Sequence, residues 1–188
     1  MSDKPHTLFH EERVQDAVSG LAALIAERYQ GQELCVIGLL GSSGPFLADL
    51  TRAVERLNKQ NLPERCVQMF IGDLALDKEQ GSQPVRRDIN VDIKGKPVLI
   101  VDTVLTTGRT VTEAARFLWQ REPTIIEAVV LIKRGKVQRS KRKLPVSRLY
   151  FALEVQKDVE VVGYGLDYQR ESEKGLGRSL PWIAQVLK

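Results

Sequence analysis

Two histidines, His6 and His10, and two cysteines, Cys35 and Cys66, are the whole supply of imidazole and thiol in the chain. Both histidines lie at the amino end, so neither a His-based catalytic triad nor a zinc site is expected. The cysteines sit in apolar, strand-like contexts, "ELCVIGLL" and "ERCVQMF", which suits buried free thiols better than a disulfide or a metal pair. Long hydrophobic runs are missing: no stretch approaches the roughly 20 apolar residues of a membrane span. The opening "MSDKPHTLFHEER" has no apolar signal core, so a cytoplasmic protein without a membrane partner is expected. Neither a Gly-x-Gly-x-x-Gly fingerprint nor a Walker Gly-Lys-Ser/Thr occurs, which removes the two commonest nucleotide-binding loops. Repeats, low-complexity tracts and interdomain linkers are also absent, and 188 residues suit one domain.

What is present begins with charge. The formal net charge is +4 and the isoelectric point about 9.1, a mild bias toward anionic partners. The bias is concentrated in residues 133–143, "KRGKVQRSKRK", which hold seven Lys or Arg and no acid. A solvated loop is the plain reading of such a run, and a phosphate or RNA contact is the functional one.

Periodicity gives the element order. Val14, Val18, Leu21, Leu24 and Ile25 fall at helical spacing in residues 10–29, with Glu11 and Glu12 in the first turn. A strand over 33–40 and a helix over 46–60 follow, then a strand within 65–76. Residues 77–87, "DKEQGSQPVRR", have no periodicity and read as a loop. "KPVLIVD" is a strand ending at Asp102, followed by a helix over 110–122 with Ala115, Leu118 and Trp119 near one face. Strands over 125–133 and 148–155 and a short one within 158–168 complete six. Continuous Val/Ile/Leu strands alternating with helices imply an α/β fold, a mainly parallel sheet with helices on both faces. Ligands of such sheets bind beyond the carboxyl ends of the strands, which directs attention to residues 41–45 and 102–110.

The second of these loops, "DTVLTTGRT", combines an acid with three hydroxyls and a glycine around a helix entrance. Gly108 frees the backbone to wrap an anion, and the following amides and hydroxyls supply donors. A helix N-cap at Thr106 or Thr107 is the plain alternative. That alternative leaves Asp102 unexplained, a charge directly after an apolar run.

"VLIVDTVLTTGRT" (98–110) resembles the phosphoribosyl-pyrophosphate signature of type I phosphoribosyltransferases, in which a strand leads to two adjacent acids and a Thr-Gly-x-Thr loop. Residues 8–40, "FLADL", "DIKGKPVLIVD", "VLIKR" and "VVGYGLDY…RSLPWI" are similar, in the same order, to the hypoxanthine-guanine branch. "QPVRRDINVDIKGK" and "VLTTGRTV" look more like the related pyrimidine-operon attenuator and uracil phosphoribosyltransferase proteins. The resemblance implies a type I phosphoribosyltransferase fold, with a small hood built from the N-terminal segment and roughly residues 150–188. It also implies Mg²⁺ as cofactor and a homodimer or homotetramer.

Roles follow by position. Asp102 matches the first acid, which binds a ribose hydroxyl and helps organise Mg²⁺, and Asp167 an acid facing the metal-bound pyrophosphate and the base. Thr106, Thr107, Gly108, Arg109 and Thr110 match the 5-phosphate loop. Gly41, Ser42 and Arg178 match pyrophosphate contacts, Arg178 only if "ESEKGL" (171–176) is an insertion. Lys133 matches the lysine that donates to the purine 6-oxo group, with Glu160 and Val161 beside the base.

Five positions depart from that pattern. Thr103 stands for the second acid, where its hydroxyl can meet a ribose oxygen but brings no charge. Thr106 stands where the related enzymes have the acid proposed to take the purine proton; a hydroxyl is no base at neutral pH. Gly41 replaces a Lys or Arg, Glu160 replaces a stacking aromatic, and the Ser-Tyr pair expected in the loop after Asp73 is missing. The expectation is therefore a purine-salvage enzyme that makes a nucleoside monophosphate from hypoxanthine or guanine and phosphoribosyl pyrophosphate. A nucleotide-sensing, RNA-binding regulator and a catalytically weakened nucleotide-binding relative are the alternatives.

Overall fold

A computed structural model describes residues 6–76, 85–135, 144–168 and 176–186. The larger of its two sheets has six strands. β2 (Glu33–Leu39), β3 (Gln68–Leu76), β5 (Pro97–Leu105), β6 (Ile125–Arg134) and β7 (Leu149–Val155) are mutually parallel, and β4 (Val85–Arg87) pairs antiparallel with the end of β3. The spatial order is β4-β3-β2-β5-β6-β7.

Three helices cover this sheet: α1 (Glu11–Arg28) and α2 (Gly44–Asn58) on one face, α3 (Arg109–Trp119) on the other. Alternate strand residues divide accordingly. Leu34, Val36, Leu99, Val101, Val129 and Leu131 pack with α1 and α2. Cys35, Ile37, Val98, Ile100, Ala128 and Val130 pack with α3. Burial on both faces is why these strands read as unbroken apolar runs. Leu24, expected on the apolar face of α1, is 50% exposed, and Ala17 and Ala22 are buried in that helix instead. Cys35 is buried as expected, Cys66 only half-buried, and both are free.

Two polar devices join the layers. The carboxylate of Glu127 on β6, 2% exposed, accepts from Tyr29 Oη (2.8 Å), Tyr150 Oη (2.9 Å) and Arg28 Nη2 (3.2 Å), tying α1 to β6 and β7. Asn58, at the end of α2, donates to Val67 O (2.9 Å) and accepts from Val67 N (3.0 Å), so its amide stands in for a neighbouring strand.

The second sheet is small: β1 (His6–Phe9), β9 (Ile183–Val186) and β8 (Glu160–Val162), antiparallel in the order β1-β9-β8. It is the hood. Leu149–Val155, placed in the hood by the sequence, belongs instead to the main sheet, because its backbone continues the parallel ladder of β6. Val85–Arg87, read as loop, uses the free edge of β3, and residues 77–84 lie outside the described residues. β5 does not stop at Asp102. It runs on to Leu105, with Asp102 opposite Val130 and Leu105 opposite Lys133, since Val104 and Leu105 still suit a strand. Among the described residues no helix is long and apolar enough to cross a membrane.

Candidate functional site

At the carboxyl end of the main sheet, β2 and β5 feed the two glycine-containing loops anticipated above. After β5 the chain turns through Thr106 and Thr107 to Gly108, whose φ of 76° is left-handed, and α3 starts at Arg109. The left-handed backbone is what requires glycine; an added Cβ would lie 2.6 Å from Leu144 Cδ2, so the end of that side chain would also have to shift. Gly108 occupies the cap position and has no side chain to bond the helix, while Thr107 Oγ1 accepts from Arg109 N, the first amide of α3, at 3.4 Å. Of the N-cap alternative for Thr106 and Thr107, only Thr107 reaches an amide at the helix entrance, and both side chains are exposed. Thr106, Thr107, Gly108, Arg109 and Thr110 wall a small hollow with Asp102 at its edge. It opens at a helix amino end, where unpaired amides and the helix dipole favour an anion. Arg109 turns its guanidinium outward, Nε donating to Glu113 Oε1 at 2.8 Å.

Side chains hold three carbonyls in and beside the loop after β2. Ser43 Oγ donates to Leu39 O, Arg178 Nη1 to Gly41 O (2.9 Å) and Thr103 Oγ1 to Ser42 O (2.8 Å). The hood rests on this loop through the turn Gly163–Leu166, closed by reciprocal backbone bonds of 3.0 Å. Gly165, at φ 93°, comes so near that a Cβ would stand 2.2 Å from Ser42 O. Tyr164 Oη donates to Asp49 Oδ2 (2.6 Å) on α2, and burial pushes the phenol above its ordinary pKa, with Asp49 adding to the rise. Arg178 Nη2 also donates to Asp167 Oδ2 (2.6 Å), so one guanidinium joins the loop, the hood and an acid.

Between loops and hood lies a cleft of ≈ 260 Å³. Gly41, Ser42, Asp102, Thr106, Thr110, Glu160, Val161 and Asp167, all singled out in the sequence, line it. Thr107, Gly108 and Arg109 adjoin it in the hollow, and Arg178 anchors its rim. Asp102 is half-buried, its Oδ1 accepting from Thr103 N at 2.8 Å. Glu160 is a buried carboxylate on β8, 8% exposed, where a stacking ring was expected.

Two side chains are not where the sequence put them. Lys133 does not line the cleft: its Nζ pairs with Glu154 Oε1 at 3.0 Å and lies 4.6 Å from the Phe151 ring centre. The next residue along β6, Arg134, takes the cleft side, with Nε donating to Lys157 O (2.9 Å). Strand alternation separates the two, and a strand buried on both faces gives no cue to which points at the ligand. Thr103 turns away as well; it is 0% exposed and its hydroxyl is spent on Ser42 rather than open to a sugar. Besides Arg134, Leu40, Val104 and Leu166 line the cleft without having been foreseen. Their signal is only that they neighbour foreseen residues.

No group of three or more His, Cys, Asp or Glu gathers among the described residues. Three carboxylates, Asp102, Glu160 and Asp167, line the one cleft; Glu160 is the most buried, which leaves Asp102 and Asp167 as the more accessible pair. That donor set suits a hard cation which takes one or two protein carboxylates and completes its shell with water and substrate phosphate.

Comparison with known proteins agrees with this arrangement. The model of the phosphoribosyl transferase domain matches residues 6–169. A hypoxanthine-guanine phosphoribosyltransferase of Aquifex aeolicus is 31% identical over 186 residues, covering 95% of this chain and 93% of that protein. A hypoxanthine phosphoribosyltransferase structure from Staphylococcus aureus superposes with a TM-score of 0.80 at 26% identity, over 98% of this chain and 92% of that one. A point mutant of the Trypanosoma cruzi hypoxanthine phosphoribosyltransferase in complex with the product IMP gives 0.78 at 26% identity, over 99% of this chain and 85% of that one. With a family model spanning most of its length and a cleft built from the loops that the family signature marks, the chain belongs to the phosphoribosyltransferases.

Proposed function

We propose that the protein is a purine-salvage enzyme that transfers the phosphoribosyl group of phosphoribosyl pyrophosphate to hypoxanthine or guanine. The bond from C1 of the sugar to pyrophosphate breaks, a bond from C1 to a ring nitrogen of the base forms, and the base loses a proton. The observation that carries this reading is the meeting in one cleft of the Thr106–Thr110 hollow, the Gly41–Ser42 loop and the carboxylates Asp102 and Asp167.

In this reading the amides and hydroxyls of Thr106–Thr110 take the sugar 5-phosphate, and Asp102 a ribose hydroxyl. Gly41, Ser42 and Arg178 take the leaving pyrophosphate. Departure of pyrophosphate leaves positive charge on the sugar, so fixed carboxylates near it and fixed donors on the leaving group lower the barrier. Glu160, Val161 and Arg134 border the base; Arg134 is the cation on that wall, and Lys133 would have to leave Glu154 to reach it. Thr106 can orient the base through its hydroxyl but cannot take its proton. Mg²⁺, held by Asp102 and Asp167, would neutralise pyrophosphate charge when bound. The substrates are intracellular, which favours the cytoplasm. Ile71, exposed on β3 beside Met69 and α2, offers apolar surface for a homodimer or homotetramer. The RNA alternative rests on the basic run, of which residues 136–143 lie outside the described residues.

The direct test supplies protein, Mg²⁺ and phosphoribosyl pyrophosphate with hypoxanthine, guanine, xanthine or uracil in turn. Nucleotide is expected from hypoxanthine and guanine. No product from any base would overturn the reading.

A further inference from the structure

The Gly41–Ser43 loop has no cation of its own, yet both of its peptide groups are aimed. Arg178 holds the carbonyl of Gly41 and Thr103 that of Ser42, the latter pressed from above by Gly165. In a trans peptide the carbonyl and the following N–H point in opposite directions, so fixing one fixes the other. The amides of Ser42 and Ser43 are thereby oriented in succession. Among the described residues no backbone carbonyl accepts from either. Successive amides held in this way form an anion-binding concavity.

We propose that Thr103 is a positioning residue for pyrophosphate: its hydroxyl holds the Ser42 carbonyl so that the loop presents its amides to the leaving group. This rests on the phosphoribosyltransferase reading above and gives Thr103 a role other than holding metal or sugar. It also accounts for the residue type. A carboxylate has no proton to donate to a carbonyl, and a buried one facing Ser42 O would oppose it, whereas a threonine hydroxyl donates. The strand supplies the rest: β5 runs past Asp102, so Asp102 and Val104 line the cleft while Thr103 between them points to the loop beneath.

The test is calorimetric titration of Mg²⁺-pyrophosphate and, separately, IMP into wild type, Thr103→Val and Thr103→Ser. IMP reports on the Thr106–Thr110 hollow, which the substitution does not touch. Thr103→Val should weaken pyrophosphate binding about tenfold, the effect of losing one hydrogen bond, while IMP binding stays within about twofold. Thr103→Ser, which keeps the hydroxyl, should bind pyrophosphate like wild type even if it melts earlier. In turnover, Thr103→Val should raise KM for phosphoribosyl pyrophosphate more than it lowers kcat. Equal pyrophosphate affinity in Thr103→Val and wild type would overturn the proposal, as would parallel loss of both ligands in Thr103→Val. If Thr103→Val does not fold, Thr103→Ser against Thr103→Ala decides by the same criterion. A wild type that forms no nucleotide and binds neither ligand would instead overturn the enzymatic reading, and this one with it. Normal turnover with an indifferent Thr103→Val removes the positioning role alone.

Discussion

Gly108 concentrates the physics of the site at one position. Its left-handed φ starts α3 directly from the loop, and Leu144 fills the space where a side chain would be. Gly108→Ala should cost about 1–3 kcal/mol of stability from backbone strain, measured by urea unfolding. It should also raise KM for phosphoribosyl pyrophosphate, because the amides at the helix entrance shift with it. An unchanged KM would show that the hollow does not hold the 5-phosphate. Residues of this kind were legible in the sequence because one short stretch, 102–110, carries them all. Lys133 and Arg134 were not, since both belong to a strand buried on two faces and only the register decides which one meets the cleft. The role of Thr103 was hidden for another reason: its partner, Ser42, is 61 residues away in the chain.

Elements show the same division between local and distant information. α1, α2, α3 and the strands of seven residues or more were readable from periodicity, because each is long enough to display it. β1, β4, β8 and β9 have three or four residues apiece, too few to show alternation. β1, β4 and β9 were not anticipated. β1 and β9 pair across almost the whole chain, a contact no local pattern encodes. The buried cluster joining α1 to β6 and β7 was equally invisible, and it makes a prediction at this scale. Burial, with Glu127 as hydrogen-bonded neighbour, raises the Tyr29 phenol above its ordinary pKa of 10.0; burial raises Tyr150 as well. Above pH 10 the unfolded chain loses these protons and the folded one keeps them, so stability is full below pH 10 and falls as pH rises beyond it. The slope contributed by Tyr29 should approach about 1.4 kcal/mol per pH unit. Urea midpoints between pH 8 and 11 check this: Tyr29→Phe should be less stable at pH 8 and decline more gently above pH 10. Identical slopes would show that Tyr29 ionises freely in the folded state.

In the molecule as a whole, two sheets meet over one cleft, joined by Val161, Tyr164 and Ile183 packed into the main core and by a set of specific polar contacts. Tyr164 reaches Asp49 on α2, Arg178 spans Gly41 and Asp167, and Gly165 lies against Ser42. The main sheet and its loops supply Gly41, Ser42, Asp102, Thr106 and Thr110 and the hood supplies Glu160, Val161 and Asp167, so neither layer completes the cleft alone. The parallel sheet with helices on both faces was readable from the order of apolar strands and helices. The docking of the hood was not, because it rests on apolar packing of Val161, Tyr164 and Ile183 into the core under α1 and α2 and on hydrogen bonds between residues up to 137 positions apart.

The central claim is that this cleft transfers a phosphoribosyl group and that Asp102 is the acid which meets the sugar. The measurement that tests it most directly is kcat/KM for phosphoribosyl pyrophosphate, with hypoxanthine as acceptor, in wild type and in Asp102→Asn. Wild type should turn over, and Asp102→Asn should fall by about a hundredfold or more, the range for removing one group that stabilises a transition state. Equal kcat/KM in the two proteins would contradict the account.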